Sequence, residues 1–94
     1  MGDYLIAEDG QKVHILNHIP KGVSGLLSVQ FHQEEYMKIR VLVTCNNDFT
    51  ADQKLKLVCN VKERLGSKID ITIAIVDDLV RTKNGKVRQA ICTL

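Results

Sequence analysis

Leu26-Leu27-Ser28-Val29-Gln30-Phe31-His32 and, after a short polar break, Met37-Lys38-Ile39-Arg40-Val41-Leu42-Val43-Thr44 are the two runs on which the fold turns. In the first, Leu27, Val29 and Phe31 alternate with Ser28, Gln30 and His32. In the second, Met37, Ile39, Val41 and Val43 alternate with Lys38, Arg40 and Thr44. A period of two sends successive side chains to opposite faces, so both runs read as half-buried strands. Sequential strands usually pair, and the expected arrangement is an antiparallel hairpin turning through Glu34-Glu35. On this reading Phe31 faces the core and His32 points outward.

Downstream, Thr50-Ala51-Asp52-Gln53 has capping-box spacing, in which the threonine hydroxyl and the glutamine side chain satisfy amides at a helix start. Ala51, Leu55, Val58 and Leu65 mark the expected buried face, and Gly66 supplies the left-handed residue that often ends a helix. Ile69, Ile71, Ile73 and Ile75 alternate with Asp70, Thr72 and Ala74, a β-branched strand. Upstream, Tyr4-Leu5-Ile6 and Lys12-Val13-His14 flank Glu8-Asp9-Gly10, which reads as a small hairpin on Asp-Gly. Ile15, Leu16 and Ile19 share the spacing of one helix face, but Pro20 keeps that helix short or kinked. The expected class is α+β: an N-terminal hairpin, then a β-α-β-β-α-β-like order, with helices on one face of a small, mainly antiparallel sheet.

The chain has 94 residues, 45% of them hydrophobic, which suffices for one domain with one core. A net charge of +2 is too mild to make a nucleic-acid binder, so basicity counts only where it is concentrated. Neither a signal peptide nor an apolar run of bilayer-spanning length is present, which points to a cytoplasmic protein without membrane association. Cys45, Cys59 and Cys92 are widely spaced and odd in number, the pattern of ordinary reduced thiols. His14 and His18 are four apart but lack both the intervening glutamate of a zincin and a third ligand, so no metal site is expected.

Charge is concentrated at Arg81-Thr82-Lys83-Asn84-Gly85-Lys86-Val87-Arg88, where four of eight residues are cationic. Asn84-Gly85 favours tight reversal because both residues tolerate positive φ, which puts Lys86 at a loop tip. A lysine there is a mobile point charge with three donors, suited to phosphate oxygens outside its own domain.

With Leu79-Val80 ahead of it, this segment resembles the C-terminal R-T-x-[SN]-G-K-x-R signature of adenylate-forming enzymes. The chain as a whole is similar to the C-terminal domain of the phenylacetate–coenzyme A ligase family, including its capsular-polysaccharide and deazaflavin-cofactor adenylyltransferase branch. Asp3-Tyr4-Leu5 followed by Asp9-Gly10, Phe31-His32-Gln33 at a strand end and Arg64-Leu65-Gly66 at a helix end carry the likeness further along the chain.

The resemblance implies that residues 1–94 form the mobile lid domain of a longer ligase. That enzyme would join a carboxylate to the α-phosphate of ATP, with Mg2+, and release pyrophosphate, after which coenzyme A or another thiol displaces AMP. Lys86 is the implied catalytic residue, delivering its charge to the phosphate oxygens as the carboxylate attacks. Gly85 and Asn84 would shape the turn close to the nucleotide, and Arg81 and Arg88 would steady the loop or meet carboxylates of the neighbouring domain. Gly10 corresponds to the contact made in the thioester-forming pose. Asp3 matches the second aspartate of a G-R-x-D-D-like hinge, which puts the pivot at or before Gly2, with Met1 and Gly2 as start residues of an excised domain.

His14-Ile15-Leu16-Asn17 stands where many acyl-coenzyme A ligases have P-x-E-I-E, so the thiol acceptor stays open. The implied partners are the N-terminal adenylating domain of the same polypeptide and, in the full enzyme, an acyl substrate and possibly coenzyme A. The isolated domain, lacking a phosphate-binding Gly-rich loop, is expected to bind no cofactor and to be inactive alone. Two other classes fit the same elements. A ferredoxin-like or ACT-like regulatory module would bind small molecules at a dimer interface and leave Lys86 dispensable. An RNA-binding sheet would need stacking aromatics, for which Phe31 is the one strand candidate.

Overall fold

The computed structural model describes residues 4–14 and 16–94. The expected hinge region at or before Gly2, Asp3 of its motif and the start residues Met1 and Gly2 lie outside them, as does Ile15. Two short strands, β1 (Leu5–Ile6) and β2 (Lys12–Val13), form the N-terminal hairpin. There follow β3 (Leu26–Glu35), β4 (Lys38–Cys45), α1 (Ala51–Leu65), β5 (Asp70–Ile75) and β6 (Ala90–Cys92). The larger sheet has the order β5-β4-β3-β6. Its centre is the antiparallel β3–β4 pair, with Phe31 opposite Val41, while β5 and β6 run parallel to β4 and β3. The fold is α+β, as expected.

The β3–β4 hairpin forms where the alternation places it, but it turns through Tyr36-Met37 and not through Glu34-Glu35. Met37 takes φ 71°, the sole positive φ of a non-glycine residue among those described. The two glutamates extend β3, and Glu35 pairs with Lys38 across the turn, Nζ to Oε2 3.4 Å. A register irregularity between His32 and Glu35 absorbs the difference.

One helix lies on the sheet, where a plural was expected. The segment from Leu16 to Val23 is a succession of tight turns in which Ile19, Lys21 and Val23 donate to Leu16, His18 and Pro20. Pro20 offers no amide to continue a helix ladder. Leu16 and Ile19 still reach the core, at 1% and 3% exposure. Asn60 of α1 fastens the turns by donating to the carbonyls of Ile19 and Lys21.

Helix α1 starts at the expected place by a different device. Thr50 is the N-cap without a side-chain bond, and Gln53 Oε1 accepts instead from Ser24 N at 2.8 Å. The buried stripe is Leu57, Val61 and Leu65; Leu55 and Ala51 are exposed, and Val58 is half-buried. Gly66 has positive φ, but at φ 135°, ψ 141° it is outside the left-handed helical well, and its amide donates to Lys62 O. A side chain there would collide with Glu8, so close packing requires the glycine.

The core lies between α1, the N-terminal segments and one face of the sheet, with Leu5, Phe31, Ile39, Val41, Leu57 and Ile69 all at 2% exposure or less. Phe31 is therefore a core residue, as its phase requires, and is not displayed for base stacking. Cys45, Cys59 and Cys92 are free thiols. Among the described residues no helix is long and apolar enough to cross a membrane.

Candidate functional site

The basic segment folds as a hairpin of its own. Arg81 bridges Val87 antiparallel, Thr82 N donates to Lys86 O at 2.8 Å, and Gly85 N donates to Thr82 O at 2.9 Å. Gly85 takes φ 80°, while Asn84 keeps negative φ, so the reversal is a turn over Lys83-Asn84 closed by one left-handed glycine. Open space surrounds the position a Gly85 side chain would take, so the glycine serves the backbone angle alone.

Cations in the hairpin divide into two kinds. Arg81 is turned back on its own loop: Nε and Nη2 reach the two Asp78 oxygens at 3.1 Å, and Nη1 donates to Gly85 O at 3.0 Å. The guanidinium holds the Asp78 carboxyl below its ordinary value, and the carboxylate raises the guanidinium in return. Arg81 is thus a brace. Lys83 and Lys86 are exposed, and among the described residues neither ammonium group meets an ion-pair partner. The backbone of Lys86 is doubly tied to Thr82, its carbonyl to the threonine amide and its own amide to Oγ1 at 3.2 Å. An exposed cation thus rises from a hydrogen-bonded stem, an arrangement that can present charge to an anion outside the domain. Arg88 is half-buried at the far root of the hairpin.

That root is held by a residue the period-two reading assigned to solvent. Gln30 is fully buried, and its carboxamide Nε2 donates to Val80 O and to Arg88 O, both at 2.9 Å. Its Oε1 accepts from Val80 N at 3.1 Å. Donors and acceptors fixed in the backbone leave one orientation for the amide. His32 Nε2 lies 2.9 Å from the same Oε1 and must therefore carry its proton there. His32, expected to face solvent, is buried at 8% exposure. Burial first, then Arg40, lowers its pKa from the ordinary value, with Glu34 opposing.

Gln33, also fully buried, treats the N-terminal hairpin in the same way. It accepts from Ile6 N at 2.7 Å and donates to Ile6 O at 3.0 Å. Gln33 falls in the apolar phase of β3, two places after Phe31, and a carboxamide in a core phase was the available signal. For Gln30 no signal existed, because its partners are 50 and 58 residues away.

Gly10 takes φ 87° at the tip of the first hairpin, with its amide on Ala7 O at 2.9 Å. This tip is anchored to the end of α1, since Glu8 N donates to Leu65 O and Lys68 N to Glu8 Oε1. Lys86 and Gly10 therefore stand on separately supported hairpins. His14 lies against the Tyr4 ring at 5.7 Å, and among the described residues no three His, Cys, Asp or Glu side chains gather as a metal-holding group. Depressions of about 210 and 360 Å3 beside His32–Arg40 and beside Asp9–Arg64 are not lined by the basic hairpin.

Residues 5–92 match the family described as the CapK C-terminal domain. The chain belongs to that family. A CapK C-terminal domain follows an N-terminal partner domain in a longer polypeptide, and the match takes in both hairpins and both buried glutamines. Comparisons with curated proteins and with solved structures returned no match.

Proposed function

We propose that this CapK C-terminal domain is the mobile lid of an adenylate-forming acyl ligase of the phenylacetate–coenzyme A ligase type, and that Lys86 is its catalytic contribution. The observation that carries the reading is the exposed Lys86 ammonium on a backbone pinned by Thr82 and rooted through Gln30. Burial or an internal ion pair would have disqualified it.

In the proposed reaction a carboxylate oxygen attacks the α-phosphorus of ATP, the bond to the bridging oxygen breaks, and pyrophosphate leaves with Mg2+. Charge on the nonbridging α-phosphate oxygens grows as the attack proceeds. A cation brought to them by lid closure favours the transition state over the resting complex, so it raises the rate and not merely the affinity. Asn84 and Gly85 set the turn, Arg81 braces it through Asp78, and Arg88 closes the root. Thiol transfer, to coenzyme A or another acceptor, would follow in a second pose with Gly10 near the active site. The N-terminal domain would hold ATP and the acyl group, and the isolated domain would turn over neither.

The test is ATP–pyrophosphate exchange by the full polypeptide. Lys86→Ala is expected to lower the exchange rate about a hundredfold, the effect of losing one transition-state donor. Exchange at the unsubstituted rate would overturn the assignment.

A further inference from the structure

A lysine that works from a hairpin tip depends on whatever fixes the hairpin root. Arg81–Asp78 and Thr82–Lys86 are internal to the segment and travel with it. At the sheet, Phe31 N donates to Gln89 O at 3.0 Å, just past the root, and one carboxamide reaches both sides of the root itself. Nε2 of Gln30 uses both hydrogens, on Val80 O and Arg88 O, and Oε1 uses both lone pairs, on Val80 N and His32 Nε2. Val80 immediately precedes the Arg81–Val87 bridge and Arg88 immediately follows it. A single side chain therefore grips both strands at the mouth of the loop.

We propose that Gln30 is a positioning residue for Lys86, fixing where the basic hairpin leaves the sheet and hence where the ammonium group is delivered. The inference rests on the adenylation reading of Lys86 for its consequence in catalysis, but not for its structural part. The carboxamide has the shape and polarity of a peptide group, and its two bonds to Val80 reproduce what a neighbouring strand would supply. Severing it takes a partner from the part-buried Val80 amide and carbonyl and from the Arg88 carbonyl, so the loop root shifts or opens to water. Gln33, on the same strand and equally buried, makes the matching pair of bonds to Ile6 and none to residues 80–88. It supplies an internal control with a comparable cost to stability.

The experiment has two arms on Gln30→Met, Gln30→Glu and Gln33→Met. In the first arm, amide hydrogen exchange is measured across the chain. Gln30→Met is expected to speed exchange at Val80 and through residues 81–88 by about tenfold or more while leaving Ile6 unchanged, and Gln33→Met to do the reverse. Gln30→Glu keeps the acceptor oxygen and the shape but loses the donor to both carbonyls, so it gives the same direction if the methionine variant is too unstable to fold. Exchange at 80–88 equal to the unsubstituted protein in the variant that folds would overturn the proposal, as would equal loosening of both hairpins by both methionine variants.

In the second arm, the full polypeptide is assayed for adenylation. Gln30→Met should lower kcat by about tenfold with KM for ATP held within about twofold, and Lys86→Ala added to it should cost far less than it does alone, because the two act through one group. Gln33→Met should spare kcat. Full additivity of Gln30→Met and Lys86→Ala would overturn the catalytic consequence. If Lys86→Ala alone has no effect, the adenylation reading fails while the exchange arm still decides whether Gln30 sets the hairpin.

Discussion

The two hairpins of this domain are built alike at the root and differently at the tip. Each ends in a glycine of positive φ, Gly10 at 87° and Gly85 at 80°, and each is tied to β3 by a buried glutamine. The tip of the first is fastened a second time: Glu8 bonds to Leu65 and Lys68, and Tyr36 Oη donates to Glu8 O. The tip of the second touches nothing beyond its own segment by hydrogen bond among the described residues, with Arg81 folded back on Asp78 and Gly85. An element clamped at both ends keeps its tip in place. One clamped at its root alone can carry a charge to a surface that is not part of the domain.

Glycine substitutions break this comparison most sharply. Gly66→Ala drives a methyl group into Glu8, which holds the first tip to α1, and forces φ 135° on an L residue. A loss of about 3 kcal/mol in denaturant unfolding is expected. Gly85→Ala meets no atom within 4 Å, so only the strain of φ 80° remains. That loss should be about 1 kcal/mol, and hydrogen exchange should place it within residues 81–88. Equal losses at the two positions would remove the distinction between a tethered tip and an open one.

The roots differ in their response to acid, a smaller effect. His32 donates to Gln30 and sits beside Arg40, and burial and that neighbour lower its pKa below 6.5. Protonation keeps the Nε2 donor but places a second cation in a buried position. The unfolded chain takes up this proton first as pH falls, so the contribution is complete above 6.5 and declines below it until the folded-state value is passed. Tm should therefore fall as pH drops below 6.5, and His32→Gln should flatten that part of the profile. An unchanged slope in the variant would mean that other groups carry the acid response.

Where bonding is local or periodic, the sequence was legible. Alternation located β3, β4 and β5, Asp-Gly and Asn-Gly marked both reversals, and Thr50 and Gly66 bounded α1. The helix face was misphased because the chain carries two apolar stripes that share Leu65. Ala51, Leu55 and Val58 satisfy the helical period as well as Leu57 and Val61 do, and only the packing of α1 on β5 selects between them. The hairpin turn moved because Met37 adopts a conformation that its residue type does not announce. At the candidate site the turn before Lys86 could be read from Asn84-Gly85, and its support could not. A polar residue at an outward phase gives no sign that a segment 50 residues away will fold over it.

Different parts in the proposed reaction are assigned to the two hairpins, and single-turnover formation of acyl-adenylate by the full polypeptide separates them. Lys86→Ala should slow this step about a hundredfold, whereas Gly10→Ala, on the hairpin assigned to the second pose, should leave it within about twofold. An undiminished rate in Lys86→Ala, or the same loss in both variants, would contradict it.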